Sequence, residues 1–190
     1  MINYLLIAII LIICSVIYLK LAVKYKIIDK PNQRSSHTKI TIRGGGIVFP
    51  IAIFLFFVLN DFQYPFFTVG VFILSIVSFL DDIYSLSSKL RFSIQFIGVL
   101  LLLYQIGLPF FPIYAYLGFL FLGLGFLNAY NFMDGINGIT GIYSLASLSI
   151  LYIINQQEQV FDQNLVRYVV LSILVFGFYN FRKKALFFAG

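Results

Sequence analysis

The chain has few charged side chains, one cysteine and one histidine. Only 11% of its 190 residues are charged, 61% are apolar, and the mean hydropathy is +0.99. A soluble domain of this length could not cover so much apolar surface, so the composition excludes that class. The lone Cys14 excludes an internal disulfide, and we interpret it as a small buried or lipid-facing side chain. His37 by itself is a loop residue rather than a metal ligand.

Two further features are missing from the sequence. The first residues lack the basic region of a signal peptide, and no small-residue cleavage pattern follows the first apolar run. No motif of interleaved aromatic and basic residues indicates binding to nucleic acid. The net charge of +6 must therefore have another origin.

Seven apolar segments follow one another and predict an all-α, polytopic membrane bundle. Inside hydrocarbon only helices or closed barrels satisfy the backbone, and continuous rather than alternating runs favour helices. Several segments are short for a bilayer, so flanking residues must help to fill the span. Residues 1–190 then form a single transmembrane domain. The segments are Tyr4–Leu19, Gly44–Leu59, Phe66–Leu80, Phe92–Leu108, Ile113–Leu127, Ile139–Ile154 and Leu165–Tyr179.

The basic residues predict the orientation of this bundle. Twelve of the thirteen lysines and arginines flank one set of segment ends, and only Arg167 falls on the other side. Since cytoplasmic loops carry an excess of basic residues, we expect an extracytoplasmic N-terminus and a cytoplasmic C-terminus. The basic face also suits anionic lipid and phosphorylated substrates.

Two adjacent acids, Asp81 and Asp82, close the third segment at the predicted cytoplasmic surface. Ionisable groups beside hydrocarbon are costly, so carboxylates kept there are a functional hypothesis. Successive helical residues point about 100° apart, so both need not bind one ion. One could face a metal or substrate while the other acts as a base, or the two could be a solvated pair at a helix end. Lys89 and Arg91 follow at positions that suit either phosphate contacts or membrane anchors.

Four polar residues, Asn128, Asn131, Asp134 and Asn137, recur every three positions. In a helix this spacing gives a polar stripe, whereas the neighbouring glycines are equally compatible with a helix end or a loop. Amides and a carboxylate could grip a sugar, a nucleobase or a metal-bound phosphate. Together with the acid pair, Asp134 predicts a membrane-embedded active site that uses a divalent cation.

Three glycines follow Arg43 and open the second segment. The N–H groups of Gly44 and Gly45 could approach an anion at a helix N-terminus. Arg43 and Lys39 could add charge-assisted contacts to that anion. A flexible hinge or close helix packing is an equal alternative for the glycines.

These motifs resemble those of the polyprenyl-phosphate N-acetylhexosamine-1-phosphate transferases, the family that includes the phospho-MurNAc-pentapeptide transferase of peptidoglycan synthesis. The RSSH and RGGG elements, and Asn137 where the peptidoglycan enzyme has an acid, are more similar to the WbpL-type O-antigen or capsule branch. The resemblance rests, in order along the chain, on Asp29-Lys30-Pro31-Asn32, Arg34-Ser35-Ser36-His37, Arg43 with its glycines, Asp81-Asp82, and the series from Asn128 to Gly138.

The resemblance implies transfer of N-acetylhexosamine-1-phosphate from a UDP-sugar to undecaprenyl phosphate at the bacterial inner membrane, with UMP as the second product. Mg²⁺ or Mn²⁺ would neutralise and align the two anionic substrates. By this resemblance Asp81 would be the base or orienter for the lipid phosphate, and Asp82 would support it. The nucleotide and metal would be held by Asn131, Asp134 and Asn137, with Asp82 as a second metal ligand. A homodimer is left open.

Two alternatives belong to other classes. A non-enzymatic cation carrier predicts acids near the middle of the membrane and a pathway that reaches both sides. An inactive homologue is the second alternative. In the resembled family, a stretch like the one ending at Gly190 leads into a Gly-Asp-x-Gly-Ser motif whose aspartate is a principal metal ligand. We therefore expect the chain to be the N-terminal part of a longer transferase fold, with little or no activity alone.

Overall fold

A computed structural model describes residues 4–29, 41–107, 112–133, 138–182 and 185–189. These residues form seven α-helices, a short 3₁₀ helix at Gly45–Ile47 and two strands, β1 at Ile28–Asp29 and β2 at Thr41–Ile42. The helices are α1 (Tyr4–Lys24), α2 (Val48–Leu59), α3 (Pro65–Tyr84), α4 (Ser88–Gln105), α5 (Ile113–Met133), α6 (Ile139–Glu158) and α7 (Gln163–Asn180).

Each predicted apolar segment overlaps one of these helices. Several of the helices extend beyond the apolar run that predicted them. Helix α1 continues to Lys24 and α3 to Tyr84. Polar residues at a helix end can direct their charged groups towards water while the backbone stays helical. As a result, Asp81 and Asp82 lie in the last turn of α3 rather than in a loop.

Four of the described helices, α1, α3, α5 and α6, are long and apolar enough to cross a membrane. Large side chains on them are widely exposed, such as Phe121 and Phe132 on α5. Helix α2 is apolar but shorter, while α4 and α7 carry polar residues such as Gln95 and Arg167. The chain is thus an all-α, multi-pass membrane protein, whereas seven spans and their orientation stay predictions.

The most buried helix is α7, which packs against α1, α2 and α6. Its residues Tyr168 and Phe176 lie in the main core with Ile7, Leu11 and Phe56 from α1 and α2. A smaller cluster of Val99, Leu103 and Leu120 joins α4 to α5. The long α3–α4 hairpin therefore contacts the core on one side through α2 and holds α5 on the other.

Arg167 organises the polar groups at the end of the bundle where α1 and α7 begin. One guanidinium nitrogen, Nη1, donates to the hydroxyl of Tyr4 at 2.9 Å, and Nη2 donates to the hydroxyl of Tyr152 at 3.1 Å. The Tyr4 hydroxyl in turn donates to Asn164 Oδ1 at 2.6 Å. This network ties α1, α6 and α7 together at the end opposite Asp81 and Asp82.

The all-α prediction did not include a small β-structure at the other end. Strands β1 and β2 pair antiparallel, with Ile28 opposite Ile42. Residues 185–189, called here the C-terminal segment, add to this pair through a bridge between Ile42 and Phe187. The Phe188 N–H donates to the Ile42 carbonyl at 2.9 Å. This bridge joins segments that lie far apart in the sequence, so no local periodicity could have predicted it.

Candidate active site

The turn between α3 and α4 fixes the position of the two acids. Ser85 is the C-cap of α3 and takes the left-handed conformation with φ 51°. Ser87 is the N-cap of α4, and its side chain accepts a hydrogen bond from the Leu90 N–H at 3.3 Å. Serine is a favoured N-cap because its hydroxyl satisfies a free helical N–H. The local sequence therefore holds Asp81 and Asp82 at a defined helix end.

Asp81 is bound on both carboxylate oxygens. Oδ1 accepts the Leu86 N–H at 2.7 Å, and Oδ2 accepts Arg91 Nη1 at 3.0 Å. The side chain thus links the end of α3 to the start of α4 and is oriented before any ligand arrives. The same pairing brings the Arg91 guanidinium to the candidate site.

Asp82 points in another direction and pairs with Arg43. Its Oδ1 lies 3.7 Å from Arg43 Nη1, and the side chains are 14% and 38% exposed respectively. The backbone of Arg43 is held on both sides, since its carbonyl accepts the Tyr18 hydroxyl at 2.5 Å and its N–H donates to the Ile27 carbonyl at 3.3 Å. The guanidinium is the more accessible member of this ion pair.

The two acids line different cavities. Asp81 lines a cavity of about 380 Å³ between α3, α4 and α5, called here the polar pocket. Asp82 lines a larger cavity of about 710 Å³ between α2 and α3, called here the apolar groove. Ala189 of the C-terminal segment lines both. Helix α3 therefore separates a space lined by both polar and apolar side chains from an almost wholly apolar one, and it presents one carboxylate to each.

Two of the four residues of the predicted polar stripe lie on the polar pocket. Asn128 and Asn131 fall in the last part of α5, where a spacing of three brings both to the same cavity. The Asn128 amide donates to the Leu124 carbonyl at 2.8 Å and to Gln95 Oε1 at 3.3 Å. Asp134 and Asn137 lie outside the described residues, so their predicted roles stay predictions.

Among the basic residues of α4, Arg91 lines the polar pocket, while Lys89 is exposed on the first turn and does not line it. Gln95 lines the pocket as well. The sequence prediction named both Lys89 and Arg91 and missed Gln95. The spacing of four between Arg91 and Gln95, which places them on one helix face, is the signal that could have found Gln95.

Two glycine N–H groups after Arg43 have backbone partners in the described structure. The Gly45 N–H donates to the Phe188 carbonyl at 2.8 Å, and the Gly46 N–H donates to the Ala189 carbonyl at 2.9 Å. The C-terminal segment therefore takes up the Gly45 N–H, one of the two that were predicted to approach an anion. Gly44 has φ 72° and lies against Tyr18 and Phe79. The predicted basic partner Lys39 lies outside the described residues.

Asn180 is a further residue that the sequence prediction missed. Its Oδ1 accepts the Gly138 N–H at 2.7 Å, and its Nδ2 donates to the Phe187 carbonyl at 2.9 Å. The residue is 3% exposed, so both bonds are protected from water. Asn180 thus joins the start of α6 to the C-terminal segment. An amide that follows the mostly apolar residues 168–179 of α7 is the sequence signal for this role.

The described residues offer oxygen donors for a divalent cation but no complete acidic cluster. Asp81 and the amides of Gln95, Asn128 and Asn131 line one pocket, and Mg²⁺ prefers such oxygen ligands. Within the described ranges, no group of three or more histidines, cysteines or acids is arranged to hold a metal ion. The predicted ligand Asp82 faces the apolar groove, and its predicted partner Asp134 is not described.

Comparison with known proteins gives two matches. The family model described as glycosyl transferase family 4 matches residues 64–190, which include α3 to α7 and both acids. The "probable undecaprenyl-phosphate N-acetylglucosaminyl 1-phosphate transferase" of Bacillus subtilis (strain 168) is 29% identical over 186 residues. That alignment covers 88% of this chain and 52% of the relative. The chain thus spans about half the length of the curated relative that it matches.

Proposed function

Because the chain belongs to glycosyl transferase family 4, we propose that it serves the transfer of an N-acetylhexosamine-1-phosphate group from a UDP-sugar to undecaprenyl phosphate. One observation carries the proposal: at one end of α3, a polar pocket and an apolar groove each contain one carboxylate. A reaction between a water-soluble nucleotide sugar and a lipid phosphate needs a polar site for the sugar nucleotide and an apolar site for the lipid, with charged groups where the two sites meet. The name of the Bacillus relative describes the same kind of reaction.

The polar pocket suits the nucleotide-sugar donor. Its volume of about 380 Å³ falls in the usual range for small-molecule sites. Arg91 supplies a cation for a phosphate oxygen, and the amides of Asn128 and Asn131 can donate to or accept from a sugar or base. Asn137 and Lys39 are retained as proposed substrate contacts, whereas for the phosphate contact we prefer Arg91 to Lys89. Gly44 and Gly45 would act by shaping the backbone beside Arg43.

The chemical step is a displacement at phosphorus. An oxygen of the lipid phosphate attacks the β-phosphorus of the UDP-sugar, the bond from that phosphorus to the bridging oxygen breaks, and UMP leaves with the bond electrons. Both substrates are anions, so alignment and charge neutralisation dominate the barrier. We propose Asp81, Asp82 and Asp134 as the catalytic acids. Asp81 is already oriented by Arg91, and Asp82 lies where a lipid phosphate would arrive.

Mg²⁺ or Mn²⁺ is the proposed cofactor, with Asp134 and Asp82 as its proposed ligands, while the oxygen donors of the polar pocket lie on the other side of α3 from Asp82. When bound, such an ion would neutralise charge that develops on the phosphate oxygens. We further propose a bacterial inner-membrane location with the acids on the cytoplasmic side, and a role in O-antigen or capsule synthesis. In the described residues both acids lie at one helix end, which does not match the mid-membrane acids expected of a cation carrier.

The test combines transfer with binding. Detergent-solubilised protein is incubated with radiolabelled UDP-GlcNAc, undecaprenyl phosphate and Mg²⁺, and lipid-linked label is measured. In parallel, the melting temperature is followed as UDP-GlcNAc is added with and without Mg²⁺. Transfer, or stabilisation that needs the cation and is lost in Asn128→Ala, supports the proposal. The proposal is overturned if the folded protein neither transfers the label nor binds the nucleotide sugar.

A further inference from the structure

Tyr18 of α1 lies where the N-terminal part of the chain meets the end of α3. It is 7% exposed, and its hydroxyl donates to the Arg43 carbonyl at 2.5 Å. Its ring meets that of Phe79 edge-on, with the ring centroids 6.3 Å apart. Phe79 precedes Asp82 by three residues on α3, and both line the apolar groove. Tyr18 therefore contacts the backbone that carries Arg43 and also the helix that carries Asp82.

Gly44 permits this close approach of Tyr18. It has φ 72°, a left-handed conformation that favours glycine, and a β-carbon there would overlap the Tyr18 hydroxyl. The same β-carbon would come within 2.9 Å of the Phe79 ring. The hydroxyl, the glycine backbone and the ring are thus packed together with no side chain between them. Because this side offers no empty space, the position of Tyr18 fixes the backbone next to Arg43.

A second contact to the Arg43 backbone comes from the same part of the chain. The Arg43 N–H donates to the carbonyl of Ile27, which lies three residues after the end of α1. This bond is 3.3 Å long, so the bond from Tyr18 is the shorter of the two. Tyr18 and Ile27 both lie outside residues 64–190, the range that the family model matches. The N-terminal part of the chain thus holds Arg43, while the matched part supplies Asp82.

We propose that Tyr18 is a positioning residue, which holds the Arg43 guanidinium beside Asp82 for an anionic substrate. The inference rests on the proposed function and adds a residue of α1 to the site. Arg43 Nη1 lies 3.7 Å from Asp82 Oδ1, which is longer than a hydrogen bond, so this contact alone fixes the guanidinium only loosely. A long arginine side chain also loses rotamer entropy when it is held in place, and a fixed backbone reduces that loss. Tyr18 lines neither the polar pocket nor the apolar groove, so it acts through Arg43 and not on a substrate.

Chemical modification of arginine tests this role without any ligand. Tyr18→Phe removes the hydroxyl and keeps the ring. The matched control, Tyr64→Phe, removes the hydroxyl that accepts the Asp162 N–H at 2.8 Å, at the opposite end of the bundle. The purified 190-residue protein in detergent is treated with phenylglyoxal, and mass spectrometry follows the modification of Arg43, with Arg91 as the internal reference. We expect Tyr18→Phe to raise the rate at Arg43 by about fivefold, the size expected for one net hydrogen bond, and Tyr64→Phe to leave it unchanged.

A double-mutant cycle shows whether Tyr18 acts through Arg43. Binding of tritiated undecaprenyl phosphate is measured for Tyr18→Phe, Arg43→Gln and the double variant, and melting temperatures show that each is folded. We expect Tyr18→Phe to weaken binding about fivefold, whereas the double variant should bind as Arg43→Gln does, because the residue that Tyr18 positions is already gone. UDP-GlcNAc binding should be unchanged in Tyr18→Phe, since the polar pocket lies on the other side of α3. A loss of general stability would instead weaken the binding of both ligands.

The outcomes also separate this inference from the proposed function. The positioning role is overturned if Arg43 reacts at the same rate in Tyr18→Phe, if the losses of the two changes simply add, or if both ligands are weakened equally. In each of these cases the protein still binds its two substrates, so the proposed function stands. If the reaction of Arg43 rises selectively but no variant binds either substrate, Tyr18 does hold Arg43 and the transferase proposal fails.

Discussion

Gly45 lies directly against the ring of Phe187, with no room between them for a β-carbon. Phe187 is 1% exposed and belongs to the main core, and the adjacent Phe188 carbonyl accepts the Gly45 N–H at 2.8 Å. The glycine run after Arg43 therefore permits the C-terminal segment to pack beside the candidate site. The contact is with a non-helical segment, so it differs from the close helix packing that the sequence had left open for these glycines.

The first prediction is that Gly45→Ala destabilises the protein. The added methyl group overlaps a ring that is fixed by Phe176 and Tyr179, and overpacking of this kind costs about 1–3 kcal/mol. Thermal unfolding in detergent measures the change. Gly118→Ala is the control, because its β-carbon meets nothing within 4 Å, and alanine is the better helix former by about 1 kcal/mol. Equal melting temperatures for Gly45→Ala and the unchanged protein would contradict the packing described here.

The helices could be predicted from sequence because their signal is local. Continuous apolar runs of about this length have no stable alternative in a membrane. The pairing of Ile42 with Phe187 could not be predicted, since it depends on how distant segments meet. Periodicity indicated that Asp81 and Asp82 point apart. It could not tell which acid would meet an arginine of α4 and which would meet Arg43.

The choice between Lys89 and Arg91 shows the same limit within the site. Both follow the acid pair closely and both carry a positive charge. Only the geometry of the α3–α4 turn brings Arg91 onto Asp81, at 3.0 Å, and leaves Lys89 on the exposed side of the helix. The sequence thus locates a basic region beside the acids but not the individual residue that pairs with them.

The second prediction concerns Arg91. Arg91→Gln should weaken nucleotide-sugar binding about tenfold or more, because it removes a pocket cation and releases Asp81 from its orientation. Binding is followed through the melting temperature as UDP-GlcNAc is added with Mg²⁺. Arg182→Gln removes a positive charge near the same end of the bundle without touching the polar pocket, so it serves as the control. If both variants bind equally well, Arg91 has no special role in the pocket.

The third prediction concerns topology. In a Cys14→Ser background, an impermeant thiol reagent added to intact cells should label Glu158→Cys and fail to label Ser85→Cys. The reason is that basic residues flank the helix ends near Ser85 and mark them as cytoplasmic. Both positions are exposed, so access within the protein does not limit the reaction. Labelling of Ser85→Cys from outside would mean that the candidate site lies on the other side of the membrane.

The fourth prediction concerns the network at the opposite end of the bundle. Arg167→Lys should lower stability by about 1 kcal/mol or more, because one ammonium group cannot reproduce the planar contacts to Tyr4 and Tyr152. The same change at Arg182, whose Nε donates to the Phe178 carbonyl in the adjacent turn, keeps the charge without crossing between helices and is expected to cost less. Thermal unfolding of the two variants decides the matter: a smaller loss for Arg167→Lys than for Arg182→Lys would show that the network does not tie the helices.

The fifth prediction separates the two acids. Asp81→Asn and Asp82→Asn keep the shape of each side chain but remove its charge, so wherever transfer is detected each should lower it by about 10²-fold or more without unfolding the protein. Their binding defects should differ, because the acids face different cavities. Asp81→Asn should reduce nucleotide-sugar binding and leave binding of tritiated undecaprenyl phosphate intact. Asp82→Asn should weaken undecaprenyl-phosphate binding and leave nucleotide-sugar binding largely intact. If both variants lose both kinds of binding to the same degree, the two acids act on one shared ligand, and α3 does not divide the acceptor from the donor.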